Sequence, residues 1–93
     1  VVFNNARWAA GHRSTLAMYP RGAAAQATEP PFAVLEPSPR FEKVVEASGG
    51  YGERVADPAE LMPALKRALR VVKEDKRQAL VNVCLEASYV KTS

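Results

Sequence analysis

Val1-Val2-Phe3 is an uninterrupted apolar, mostly β-branched run that stops at Asn4-Asn5. That is the pattern of a buried parallel strand at its end. From Trp8 to Tyr19 the larger side chains recur at Trp8, His12, Leu16 and Tyr19, which predicts a helix that Gly11 weakens and Pro20 stops. Ser38 followed by Pro39 reads as a helix cap with proline in the first turn. Phe41, Val44 and Val45 would form that helix's apolar face, and Gly49-Gly50 would end it. Val55 lies in a brief strand near 52–56. Asp57-Pro58-Ala59-Glu60 is a sharp helix start, with Asp as cap, Pro at the first position and Glu at the capping-box position. Leu61, Leu65, Ala68, Leu69 and Val72 then make one stripe at helical spacing over 58–74. Ala79 to Leu85, apolar at nearly every position, predicts a strand covered on both faces.

Helices alternating with apolar strands imply parallel crossovers. The fold expected is α/β, a partial three-layer α/β/α arrangement around a parallel sheet, with residues 1–93 forming a single partial domain. Residues 20–39 hold five of the seven prolines around the small, uncharged stretch 22–28. A Pro/Ala-rich connector over 20–38 follows, too long for a tight turn. Because the chain starts inside a predicted strand, it is expected to be a fragment. Its first strand would then be an edge with an apolar flank, and a homo-oligomer is expected.

Composition narrows the function classes. The 93 residues are 47% hydrophobic and 25% charged with a net charge of +3, ordinary values for one globular domain. Basic and acidic residues alternate through most of the chain instead of forming a stripe, which argues against a nucleic-acid partner. No apolar run approaches the roughly 20 residues of a membrane span, so no membrane partner is expected. The single cysteine, Cys84, excludes an intrachain disulfide and a cysteine-rich zinc site and suits the cytoplasm.

In open α/β sheets ligands sit beyond the carboxyl ends of strands, which is where Asn4 and Asn5 fall. An apolar strand closing in Asn-Asn resembles the second half of the thiamine-diphosphate motif, which opens with Gly-Asp-Gly and ends on Asn-Asn. The order Gly52-Glu53-Arg54-Val55, Asp57-Pro58-Ala59-Glu60-Leu61 and the final strand 79–85 is similar to the closing section of acetolactate synthase and benzoylformate decarboxylase relatives. The chain therefore resembles the C-terminal part of a thiamine-diphosphate-binding domain. The resemblance implies an enzyme acting on 2-keto acids by decarboxylation or carboligation, with thiamine diphosphate and Mg2+ as cofactors. Magnesium takes hard oxygen ligands. By the resemblance Asn5 supplies one through its side chain and Arg7 another through its main-chain carbonyl, with Asn4 and Trp8 beside the cofactor. The family's Gly-Asp-Gly and its activating glutamate are not in this sequence, so no catalytic residue is assigned and the isolated chain is expected to be inactive.

Plainer readings stand beside these. An Asn pair at a strand end also serves turn chemistry. Trp8, His12 and Leu16 either meet substrate or pack their helix on the sheet. His12 as a solvated residue, Cys84 as a small core residue, and Lys66, Arg67, Arg70 and Lys73 as a solvated helix face are the alternatives to chemical roles. A small non-enzymatic α/β association module is the second reading of the whole chain.

Overall fold

A computed structural model describes residues 1–26 and 33–85. The connector's residues 27–32 and the tail 86–93 lie outside the described residues. The chain divides into two compact units, one of residues 1–5 and 40 onward, the other of residues 6–39.

The first unit is built on three parallel strands in the order β1-β3-β2: β1 (Val2–Asn4), β2 (Tyr51–Val55) and β3 (Ala79–Cys84). β3 is central, pairing Val2 with Asn82 and Asn4 with Cys84 on one side, and Tyr51 with Ala79 through Val55 with Val83 on the other. All three strands, the parallel sheet and the alternating helices match the sequence expectation, but β1 is not buried as its apolar run implied: it is an edge strand with Phe3 71% exposed.

Side chains alternate along a strand, and β3 sorts them between two helices. Val81 and Val83 pack with Val55 against Ala64 and Ala68 of α4 (Leu61–Arg70), with Leu61 and Leu65 at the margin. Asn82, between them, turns to the opposite face and donates from Nδ2 to Glu42 Oε2 of α3 (Phe41–Ala47) at 2.8 Å. Helices on opposite faces of a parallel sheet make the three layers that the alternation implied. Because α4 meets the sheet through alanines, its backbone approaches closely, and Leu69 and Val72 of the expected stripe are 53% and 46% exposed.

α4 starts as expected at Asp57, whose Oδ1 accepts from Ala59 N at 3.0 Å. The first turn, Pro58–Glu60, is 3-10, and the helix ends in a π-turn, Val71–Asp75, with Lys76 left-handed at φ 54°. α3 corrects two expectations. It begins at Phe41 with Arg40 as its cap position and no side-chain cap bond there, so Ser38 and Pro39 precede the helix. Its buried residues are Glu42 and Val45, whereas Val44 is 66% exposed. The helix is rotated because Asn82 offers a polar partner at the sheet. Its end is the expected one: Gly49 at φ 81°, with Gly50 N donating to Val45 O and Gly49 N to Glu46 O. This is the Schellman closure that glycine permits.

The second unit holds α1 (Ala9–Met18) and α2 (Ala23–Gln26). Arg7 forms an isolated antiparallel bridge with Val34, made by Trp8 N to Ala33 O at 2.8 Å and Leu35 N to Ala6 O at 2.7 Å. α1 realises the predicted 8–19 helix.

Candidate functional site at the carboxyl end of the sheet

Since the strands are parallel, their carboxyl ends open on one side of the first unit, bearing Asn4-Asn5 at the end of β1, Ala56-Asp57 after β2 and Leu85 after β3. Asn4 is the last residue of β1 and is 6% exposed. Its carbonyl accepts from Leu85 N at 2.7 Å, which extends the β1–β3 ladder by one bond. Asn5 is the first residue beyond the strand and is half-buried. The pair therefore sits where the sequence put it, with Asn4 turned inward and Asn5 next to the strand mouth.

The backbone leaves the strand abruptly: Ala6 has φ 54°, a left-handed conformation. A side chain with a Cβ there costs about 1–2 kcal/mol, and such residues persist where surrounding structure holds them, often at ligand sites. Arg7 is half-buried and Trp8 is 65% exposed, at the start of the second unit. His12 lies within α1, half-buried, its N–H donating to Trp8 O at 3.2 Å.

Polar chemistry continues along the α3 face of the sheet, where sequence reasoning missed it. Residues in register across parallel strands share a face, so Asn4, Asn82 and Cys84 lie on the α3 side. Cys84 is half-buried and accepts from Arg54 Nε at 3.1 Å. Glu42 is 5% and Asn82 0% exposed. Burial alone would raise the Glu42 carboxyl. The bond from Asn82, its own backbone N–H, and Arg54 and Arg40 outweigh that, and its pKa falls below the ordinary value. The missed signal was the lone polar residue in Ala79-Leu80-Val81-Asn82-Val83-Cys84. A buried amide has to be hydrogen-bonded, so a polar partner on a packed helix was implied.

On the other face Tyr51 Oη donates to Glu53 Oε2 at 2.7 Å, and Arg67 of α4 forms an ion pair with Glu53. Arg67's hydrogen bond is the main reason the Glu53 carboxyl lies below its usual range; Glu53 in turn raises the Tyr51 phenol. Arg67 is exposed, as expected of that solvated helix face, and from there it clips α4 onto β2.

For a divalent cation the carboxyl end offers neutral oxygen donors. Among the described residues no three His, Cys, Asp or Glu side chains gather into a metal-binding group. Hard amide and main-chain oxygens are acceptable to magnesium, which commonly takes only one or two protein carboxylates and otherwise uses water and phosphate oxygens. The donor set fits part of such a site.

Comparison with known proteins decides the family. Residues 1–83 match the thiamine pyrophosphate enzyme, C-terminal TPP binding domain. The chain belongs to that family. It is 36% identical over 88 residues to a probable acetolactate synthase of Mycobacterium bovis and, to the same extent, to an acetolactate synthase large subunit of Mycobacterium tuberculosis. Each alignment covers 95% of this chain and 14% of the relative. The chain thus spans about one-seventh of the length of these curated relatives. No solved structure matches. The resemblance read from Asn4-Asn5 and from residues 52–61 is to the same family. Among the described residues no helix is long and apolar enough to cross a membrane.

Proposed function

We propose that this chain is the cation- and diphosphate-holding section of a thiamine-diphosphate- and magnesium-dependent enzyme that acts on 2-keto acids. The observation that carries the reading is the placement of Asn4-Asn5 at the carboxyl end of β1 in an all-parallel sheet of this family. Asn5 would give its side-chain oxygen to magnesium, and Arg7, two residues on, its main-chain carbonyl. Asn4, buried and tied to β3 through its own carbonyl, would hold the turn in place. Trp8, exposed at the start of α1, would border the cofactor. The cation neutralises the adjacent phosphates, and bound thiamine diphosphate supplies the electron sink for 2-keto-acid chemistry. The setting is a homo-oligomeric cytoplasmic enzyme. An acidic ligand and an activating carboxylate from elsewhere in that enzyme complete the site, so the 93-residue chain by itself is expected to be inactive.

The test is calorimetric titration of the full polypeptide carrying these residues with thiamine diphosphate, with and without magnesium. Binding that requires the cation is the expected result. Binding indifferent to magnesium, or turnover of pyruvate by the 93-residue chain alone, would overturn the reading.

A further inference from the structure

We infer that Glu42 is a positioning residue for the Asn4-Asn5 turn, acting through Asn82 on the central strand. This rests on the functional reading above and adds to it a group outside the strand mouth.

Glu42 touches the sheet at two points. Its carboxylate accepts from Asn82 Nδ2 at 2.8 Å on β3. Its backbone presses on β2 at Gly52, where an added Cβ would collide with the Glu42 carbonyl. One residue therefore fixes α3 against two neighbouring strands. The side-chain contact falls at the residue of β3 aligned with Val2. Two residues further along the same face, Cys84 is aligned with Asn4, and Leu85 N then closes on Asn4 O. Glu42 is thus connected to the strand mouth along β3.

Stability does not explain the pair. Withdrawing a carboxylate and an amide from water is unfavourable, and apolar residues of similar volume in such places are often equally or more stabilising. What the polar pair adds is direction. An N–H to oxygen bond has a preferred length and angle, whereas apolar contacts let a helix slide over a sheet. The neighbouring α4 face is held by valines and alanines without any such bond inside the cluster. The α4 face has a directional contact at its exposed margin, Arg67 with Glu53, whereas the fully buried one, Glu42 with Asn82, lies on the face that carries Asn4.

The experiment compares cofactor affinity across a magnesium series, and thermal midpoint, in the full polypeptide and three variants. Glu42→Gln keeps an acceptor for Asn82 and is expected to bind within about twofold of the parent. Glu42→Leu with Asn82→Val replaces the pair by apolar residues. It is expected to keep or raise the midpoint while binding about tenfold weaker, within the usual range of coupling between linked sites. Glu42→Asp keeps the charge but is one methylene short. It is expected to lose affinity severalfold and serves if the double variant does not fold. Parent-like affinity in the double variant or in Glu42→Asp would overturn the inference, as would a Glu42→Gln variant as weak as the double variant. A parent that binds no cofactor overturns the functional reading itself, and this inference with it.

Discussion

On the α4 side of the sheet, Val55, Val81 and Val83 meet Ala64 and Ala68, and every member of that cluster is apolar. On the α3 side, one residue along each strand, stand Gly52, Arg54, Asn82 and Cys84, and Gly52 and Asn82 meet a helix whose buried residues are Glu42 and Val45. Around β3 the sheet thus has one face with an apolar centre, bordered by Tyr51 and Glu53, and one face that is polar at its centre. The oily face gains by area: each valine buried there contributes about 1.5–3 kcal/mol relative to exposure. The polar face gains little net energy from its bonds, because water offered the same groups partners before folding. It gains definition instead, and it is the face that leads to Asn4. The division assigns stability to one side of β3 and placement to the other.

The most damaging change to that arrangement is expected at Gly52. Its missing Cβ is where the α3 backbone rests, and any side chain there drives α3 away from β2 and pulls Glu42 off Asn82. Gly52→Val is expected to lose about 3 kcal/mol or more, combining overpacking with a stranded buried polar group. Chemical denaturation measures it. A variant within about 1 kcal/mol of the parent, an ordinary surface-scale effect, would mean that α3 is not set by this contact.

Val81→Ala probes the opposite face. Val81 is 2% exposed within the apolar cluster. Its truncation is expected to cost about 2 kcal/mol, near the lower end for large-to-small core changes, with cofactor affinity unchanged wherever the protein remains folded. Loss of affinity beyond the loss of folded protein would break the proposed division between the faces.

Much of this fold was legible in the sequence, for reasons that differ between the faces. Apolar runs and the cap at Asp57 act locally, so β1, β3 and α4 could be read within a few residues. The end of α3 was equally plain because two adjacent glycines have few other uses. The burial of Glu42 was not legible, since its partner lies 40 positions away and helical periodicity marked Val44 as the inner residue. The exposure of Arg67 was legible, but its ion pair with Glu53, 14 positions away, was not. The strand-end position of Asn4-Asn5 was legible because an apolar run stopping at two amides has a clear place in a parallel sheet. The left-handed Ala6 was not, since alanine gives no warning of a positive φ.

Asn5→Ala separates the strand mouth from both faces. Removing one hard oxygen from the proposed magnesium site is expected to weaken magnesium and cofactor binding in the full polypeptide. By analogy with leaving a charged group one hydrogen-bond partner short, the cost is about 1–3 kcal/mol, or roughly 5- to 150-fold. Asn5→Asp should be milder, because it keeps an oxygen. Asn4→Ala should act chiefly on the turn and its thermal midpoint. Calorimetry in which Asn4→Ala abolished binding and Asn5→Ala did not would reverse the assignment within the pair.

The smallest effect is expected from the clip at the margin of the oily face, and its sign can be worked out from pH. Arg67's hydrogen bond, helped by the Tyr51 hydroxyl, holds the Glu53 carboxyl below its ordinary range. A carboxylate whose pKa is lower folded than unfolded stabilises the fold above the unfolded value. That contribution disappears as pH falls through the folded one. The pair is partly open to water, with side-chain exposures of 45% for Arg67 and 20% for Glu53, so screening keeps it weak and salt-sensitive. Glu53→Gln should therefore lower the thermal midpoint slightly at neutral pH and low salt. The difference from the parent should shrink in high salt and vanish in acid, below the range where the parent's carboxylate takes up its proton. Thermal melts across pH and salt measure this directly. A Glu53→Gln penalty that persisted undiminished in acid would show that the side chain's packing against Tyr51 and α4, and not its charge, holds this corner of the sheet.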